Sequence, residues 1–206
     1  MVILLLWALA WGAVTVDTVP QISKQIELSW GKTHSYSVKF KQTVNSKRLG
    51  TTDTTTGTLS VKKPGKLRWE GSDGVTQIIN GKKVIVFKRN QRRKSRVVDL
   101  YENGVAQVDM KALSFLSEGG EFVKNYNVLL LESNPKRARL KLDSKVPDSE
   151  GYIAEIDKSG YFLAALNIES PEARVRIDFF DRVVNPVLQD SFFEYVPEPN
   201  DVVHKQ

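Results

Sequence analysis

The chain has 206 residues, enough for one domain with a substantial core and short for two. Hydrophobic residues at 41% and charged residues at 26% place it among ordinary folded chains and exclude wholesale disorder. The net charge of +6 is compatible with an anionic membrane surface, an acidic partner or nucleic acid, and equally with plain solubility. The absence of cysteine excludes disulfides, thiol catalysis, cysteine-based zinc sites and a lipid anchor attached through cysteine.

Val2 to Val16 carries no charge. As a helix it would span roughly 22 Å at about 1.5 Å per residue, short against a bilayer core of about 30 Å. It reads as the apolar part of a secretory signal peptide, with small residues at Ala8, Ala10 and Gly12 suited to cleavage, although no Lys or Arg precedes it. Residues 1–16 are therefore expected to be a signal peptide or apolar N-terminal segment, and residues 17–206 a single domain.

Pro20 to Gly31 predicts a helix. Val19, Ile22, Ile26 and Trp30 recur on one face, Pro20 suits the first turn and Gly31 the stop. From Tyr36 the period becomes two, with Val38 and Phe40 alternating with Lys39 and Lys41. Strands are predicted at Thr54–Lys63 and Lys66–Glu70, separated by Pro64-Gly65, and at Val75–Ile79 and Lys83–Phe87, flanking the Asn80-Gly81 turn. Arg96–Tyr101 continues the series. Asp109–Leu116 breaks it with a second amphipathic helix, Met110, Leu113 and Leu116 on one face with Phe115 nearby, ended by Gly119-Gly120. Strands then resume at Tyr126–Leu131, Ala138–Leu142, Tyr152–Asp157, Phe162–Glu169, Val175–Phe180 and Ser191–Tyr195. The fold class is mainly β: one large curved antiparallel sheet or half-open barrel, with helices covering the opening.

Catalytic chemistry finds little support. His34 and His204 are the two histidines, and both are placed peripherally; no metal-ligand spacing, phosphate loop or nucleophile elbow occurs. Glu155, Asp157, Asp178 and Asp181 alternate along strands as a solvated face would. The chain is therefore expected to be no enzyme and to need no cofactor or metal. Lys88 to Arg96 holds six basic residues, Lys88, Arg89, Arg92, Arg93, Lys94 and Arg96, and no acid. It is expected at an exposed hairpin tip, either simply solvated or docking on anionic lipid or an acidic partner. Nucleic acid is disfavoured because the run lacks aromatic residues for base stacking.

Gly57 to Glu70, GTLSVKKPGKLRWE, resembles the LolA family of periplasmic carriers of outer-membrane lipoproteins. The likeness continues at Phe40-Lys41-Gln42, at Gln77 to Lys83 with its following apolar strand, and at Asn185 to Phe193. It implies an unclosed antiparallel barrel, lidded by helices, whose cavity shields lipoprotein acyl chains. Leu59, Val61, Leu67, Trp69, Val84 and Val86 would line or border that cavity, and Met110, Leu113, Phe115 and Leu116 would belong to the lid. The implied partners are acylated lipoproteins, an ABC-type inner-membrane exporter and an outer-membrane receptor, served by a periplasmic monomer. Another lipid or glycolipid is the alternative cargo. The basic residue before the motif proline, tied in the family to cargo handling, is Lys63; it keeps the charge but lacks the planar fork of arginine.

Overall fold

The computed structural model describes residues 17–81, 83–90, 95–102, 126–145 and 151–205. The first described element is helix α1 (Val19–Gly31). Its start is a capping box: the Gln21 amide donates to Thr18 Oγ1, and the Thr18 amide donates to Gln21 Oε1 at 2.9 Å, so two amides at the helix start find acceptors. Ile22, Ile26 and Trp30 form its buried stripe, as the spacing predicts.

Six strands follow: β1 (Ser35–Ser46), β2 (Thr52–Lys62), β3 (Lys66–Gly71), β4 (Val75–Asn80), β5 (Lys83–Asn90) and β6 (Ser95–Glu102). Five more form a second run: β7 (Tyr126–Ser133), β8 (Arg137–Ser144), β9 (Tyr152–Asp157), β10 (Phe162–Glu169) and β11 (Ala173–Val184). A 3₁₀ turn (Asp190–Phe193) and β12 (Asp201–Lys205) complete the chain. The predicted helix Asp109–Leu116 lies outside the described residues.

All twelve strands belong to one sheet in the order β12-β6-β5-β4-β3-β2-β1-β11-β10-β9-β8-β7. Each run is an antiparallel meander, the two are sewn together by the antiparallel β1–β11 pair, and β12 pairs parallel to β6 at the end of the sheet. The sheet does not close, in keeping with the half-open barrel expected from the sequence. Laid flat, β3 and β8 would stand about 29 Å apart at roughly 4.8 Å per strand. Yet Leu67 of β3 and Leu140 of β8 join one buried cluster with Ile22, Ile26 and Trp30 of α1. The sheet therefore wraps around α1, and that face is its inner face.

One expectation needs correction at the C-terminus. Ser191–Tyr195 is no strand but contains the 3₁₀ turn. Phe193 is fully buried against the outer face and Phe192 lies under the Arg68 guanidinium, so adjacent residues both point at the sheet, which a period-two strand forbids. His204 sits in β12, where its Nδ1 lies 3.1 Å from Asp99 Oδ1. The short polar run after Pro199 hides this strand.

Candidate functional site

The strand register fixes which side chains share a face. Leu59 and Val61 of β2 stand opposite Trp69 and Leu67 of β3, and all four are buried in the cluster under α1. Leu67 stands opposite Ile79, Ile79 opposite Val84, and Gln77 opposite Val86. Six of the residues picked from the sequence, Leu59, Val61, Leu67, Trp69, Val84 and Val86, thus lie on one inner face. Met110, Leu113, Phe115 and Leu116 lie outside the described residues.

The motif glycine has a packing reason. Gly57 stands opposite Phe40, whose ring crosses it and stacks on Trp69 with 3.6 Å between ring centroids. A Cβ at position 57 would fall 1.9 Å from the Glu70 carbonyl oxygen and 2.5 Å from Phe40 Cζ. Phe40, Gly57 and Trp69, separated in sequence, are one unit.

The inner face has two unequal parts. Over β1–β3 and β7–β11 it is filled by α1 and the main core. Over β4, β5, β6 and β12 it carries Val75, Val84, Val86, Val97, Tyr101 and Val202, none of which belongs to either buried cluster of the described residues. Val97 is 42% exposed and Val202 51% exposed. An apolar strip therefore continues the core's own surface, with Val84 buried, Val75, Val86 and Tyr101 half-buried, and Val97 and Val202 open to solvent. Asp99, which pairs with His204, lies among them.

The opposite face of the same strands is a second, closed core. Ile78, Ile85, Phe87 and Val98 pack with Phe193, while Leu188, Phe192 and Tyr195 seal the edge. Arg96 belongs here, not to an exposed tip. Its guanidinium donates from Nε to Asp201 Oδ1 at 2.8 Å and from Nη2 to Asp201 Oδ2 at 2.6 Å, and it lies over the Phe87 and Tyr195 rings. The side chains of Arg96 and Asp201 are only 7% and 3% exposed. The two-residue alternation with Val98 and Leu100 carries this signal, but the surrounding charge run obscures it. Lys88 and Arg89 are exposed, and Arg89 pairs with Glu198 at 2.8 Å. Arg92, Arg93 and Lys94 lie outside the described residues.

Lys63 reaches the end of α1. Its ammonium donates to the Trp30 carbonyl and sits 5.6 Å from the centroid of the Trp30 ring. It thus caps the helix C-terminus, where carbonyls lack partners and the dipole favours a cation. Burial pushes its pKa down from the ordinary lysine value. At the other end of α1, the Asp17 carboxylate accepts from Lys158 Nζ at 2.5 Å and from the Ser133 hydroxyl, which holds its pKa below the usual range. The helix is a strut pinned at both ends.

The carboxylates that could suggest acid–base chemistry are engaged by cations. Arg176 and Arg137 hold Glu155, Arg182 holds Asp157, Arg176 also holds Asp178, and Lys39 holds Asp181. No cluster of His, Asp and Glu able to hold a metal occurs among the described residues.

Residues 31–196 match the family described as "Outer membrane lipoprotein carrier protein LolA". The chain belongs to the LolA family. Among solved structures, an uncharacterized conserved protein from Thermus thermophilus matches with a TM-score of 0.56 at 10% identity, covering 91% of this chain and 98% of that one. A LolA superfamily protein from Nitrosomonas europaea matches at 12% identity over 87% and 99% of the two chains, with a TM-score of 0.44. A putative outer membrane lipoprotein-sorting protein domain from Vibrio parahaemolyticus matches at 9% identity over 84% and 94%, also with a TM-score of 0.44. No curated protein matches the chain. The Thermus structure shares this chain's fold, which is mainly β with one long unclosed sheet and an N-terminal helix. No described helix is long and apolar enough to cross a membrane.

Proposed function

We propose that this LolA-family protein is a periplasmic carrier that holds the acyl chains of lipoproteins against the inner face of β4, β5, β6 and β12. The observation that carries this reading is the apolar strip of Val75, Val84, Val86, Val97, Tyr101 and Val202, which extends the core face yet lies outside both buried clusters. In this reading, cargo is accepted from an ABC-type exporter in the inner membrane and passed to an outer-membrane receptor. The protein works by binding, without chemical change to the cargo.

The energetics suit reversible transfer. Burying one CH₂ contributes about 0.8 kcal/mol, so a 16-carbon chain is nominally worth about 12 kcal/mol. Two or three such chains, fully enclosed, would exceed observed non-covalent affinities and could not be released. A strip with Val97 and Val202 half open to solvent gives back only part of that transfer energy, as release requires.

The test is mass spectrometry of what co-purifies with the protein from its native envelope, comparing wild type with Val97→Asp. Acylated peptide on the wild type and much less on the folded variant is expected. Equal recovery from both, or no acylated peptide on folded wild type, overturns the reading. Free lipid without peptide redirects it to another cargo.

A further inference from the structure

One rim of the sheet carries an arrangement that cargo binding does not use. The register places Ser35, Lys62, Lys66, Asn80 and Lys83 in a single row across β1 to β5. Lys32 and Lys63 belong to the connections at the same rim: the Lys63 amide donates to the His34 carbonyl, and the Gly81 amide to the Gly65 carbonyl, which ties the turns together. Five lysines therefore line this rim. Asp190 is shared by Lys62 at 2.6 Å and Lys66 at 3.0 Å, while Lys32 and Lys83 form no ion pair among the described residues.

Beside the lysines stands a rigid apolar tip. Val184 pairs with Tyr36 at the end of β11 and is 42% exposed, and Val187 is 90% exposed. The intervening Asn185 has a positive φ of 57° and its side chain is fixed by three hydrogen bonds. Its Oδ1 accepts from the His34 and Ser35 amides, and its Nδ2 donates to the Lys32 carbonyl. The Ser35 hydroxyl donates to the Pro186 carbonyl at 2.6 Å, and Lys62 donates to the Leu188 carbonyl at 2.7 Å. Val187 thus stands almost bare on a tightly held turn.

We propose that this rim docks on an anionic phospholipid surface, with Val187 and Val184 entering the headgroup region and the exposed Lys32 and Lys83 facing the lipid phosphates. A projecting tip of two valines is too small for a stable protein interface, which takes on the order of 800 Å² per partner. Apolar insertion combined with exposed lysines suits a charged bilayer. The docking needs no acyl cargo, so its test stands apart from the carrier reading.

The chain has no cysteine, so single introduced cysteines report single places. Full-length Val187→Cys and, as the opposite-rim control, Leu49→Cys in the β1–β2 turn are labelled with an environment-sensitive dye. Each is mixed with cargo-free phosphatidylcholine vesicles, with and without phosphatidylglycerol. Expected is a blue-shifted signal at position 187, quenched by acyl-chain quenchers, only with phosphatidylglycerol and weakened by salt, with position 49 remaining aqueous. Lys32→Ala together with Lys83→Ala should lower partitioning roughly 25-fold, about fivefold for each lysine. A dye at 187 that stays in water, equal insertion at position 49, partitioning indifferent to the lysine pair, or no partitioning of folded protein at low salt overturns the proposal.

Discussion

Replacing Gly57 by alanine tests whether the motif glycine is there for packing. The added Cβ would lie 1.9 Å from the Glu70 carbonyl oxygen and 2.5 Å from Phe40 Cζ, so both the β3 backbone and a fully buried ring must move. The ring cannot retreat freely, because it is stacked on Trp69 and Trp69 itself is buried. Overpacking of this kind costs about 3 kcal/mol, which for a chain of this size lowers the melting temperature by roughly 6–12 °C. Urea denaturation followed by tryptophan fluorescence reads it, since Trp69 is beside the perturbation. Phe40→Leu in the Gly57→Ala background relieves the ring contact but not the carbonyl contact, so the two changes should be less than additive by about 1 kcal/mol. A Gly57→Ala cost below about 0.5 kcal/mol, the range of ordinary surface changes, would refute the reasoning.

Three further outcomes follow from the same geometry. Asp201→Asn should loosen β12 from β6 and speed amide exchange from Val97 to Leu100, because the Arg96 fork loses its bidentate acceptor. Arg96 holds the Asp201 carboxyl far below the usual carboxylate range, so its stabilisation is complete above the unfolded value of about 3.9 and fades only as pH falls well below it; the gap in urea midpoint between wild type and variant should stay constant from neutral pH to about 4, and a gap already shrinking above that would contradict the assignment. Lys63→Met should cost about 1 kcal/mol by removing the donor to the Trp30 carbonyl, with Lys63→Arg keeping most of it; an unchanged urea midpoint for Lys63→Met would show the cap to be idle. Burial pushes Tyr36 and Tyr195 up to about 12, so spectrophotometric titration should show an ionisation near that pH that is lost stepwise in Tyr36→Phe and Tyr195→Phe.

Much of the fold is legible in the residues, and the failures have physical causes. The helix is visible because Ile22, Ile26 and Trp30 face one core while Lys24 and Glu27 face water. The strands from Tyr36 to Phe180 are visible because an inner face packed under α1 alternates with charged ladders such as Arg137, Glu155 and Arg176. Alternation fails where a strand is apolar on both faces. Over β4 to β6, Ile78, Ile85 and Val98 serve the outer core while Val84 and Val86 serve the inner face, so the sequence shows apolar runs without saying which residue points where. The C-terminal segment misleads for the same reason: Phe192 and Phe193 are buried by a turn lying on the sheet, and β12 is too short and polar to announce itself. Arg96 reads as part of a solvated run because no local pattern reveals a partner as distant as Asp201.

The seam between the two meanders bears on how the protein reaches its native state. Within each run, neighbouring strands are joined by short connections and can pair as the chain emerges. The β1–β11 pair instead sets Tyr36 against Val184, residues near opposite ends of the chain, and the core under α1 draws on both sides of that seam. The first meander must therefore wait, with the β1 edge bare and its core incomplete, until almost the whole polypeptide is present. Such late, non-local closure predicts slow folding and a pairing-prone intermediate. Refolding should pass through a half-sheet species that gains aggregation resistance only when β11 docks, and which a peptide matching Ala173–Val184 would trap.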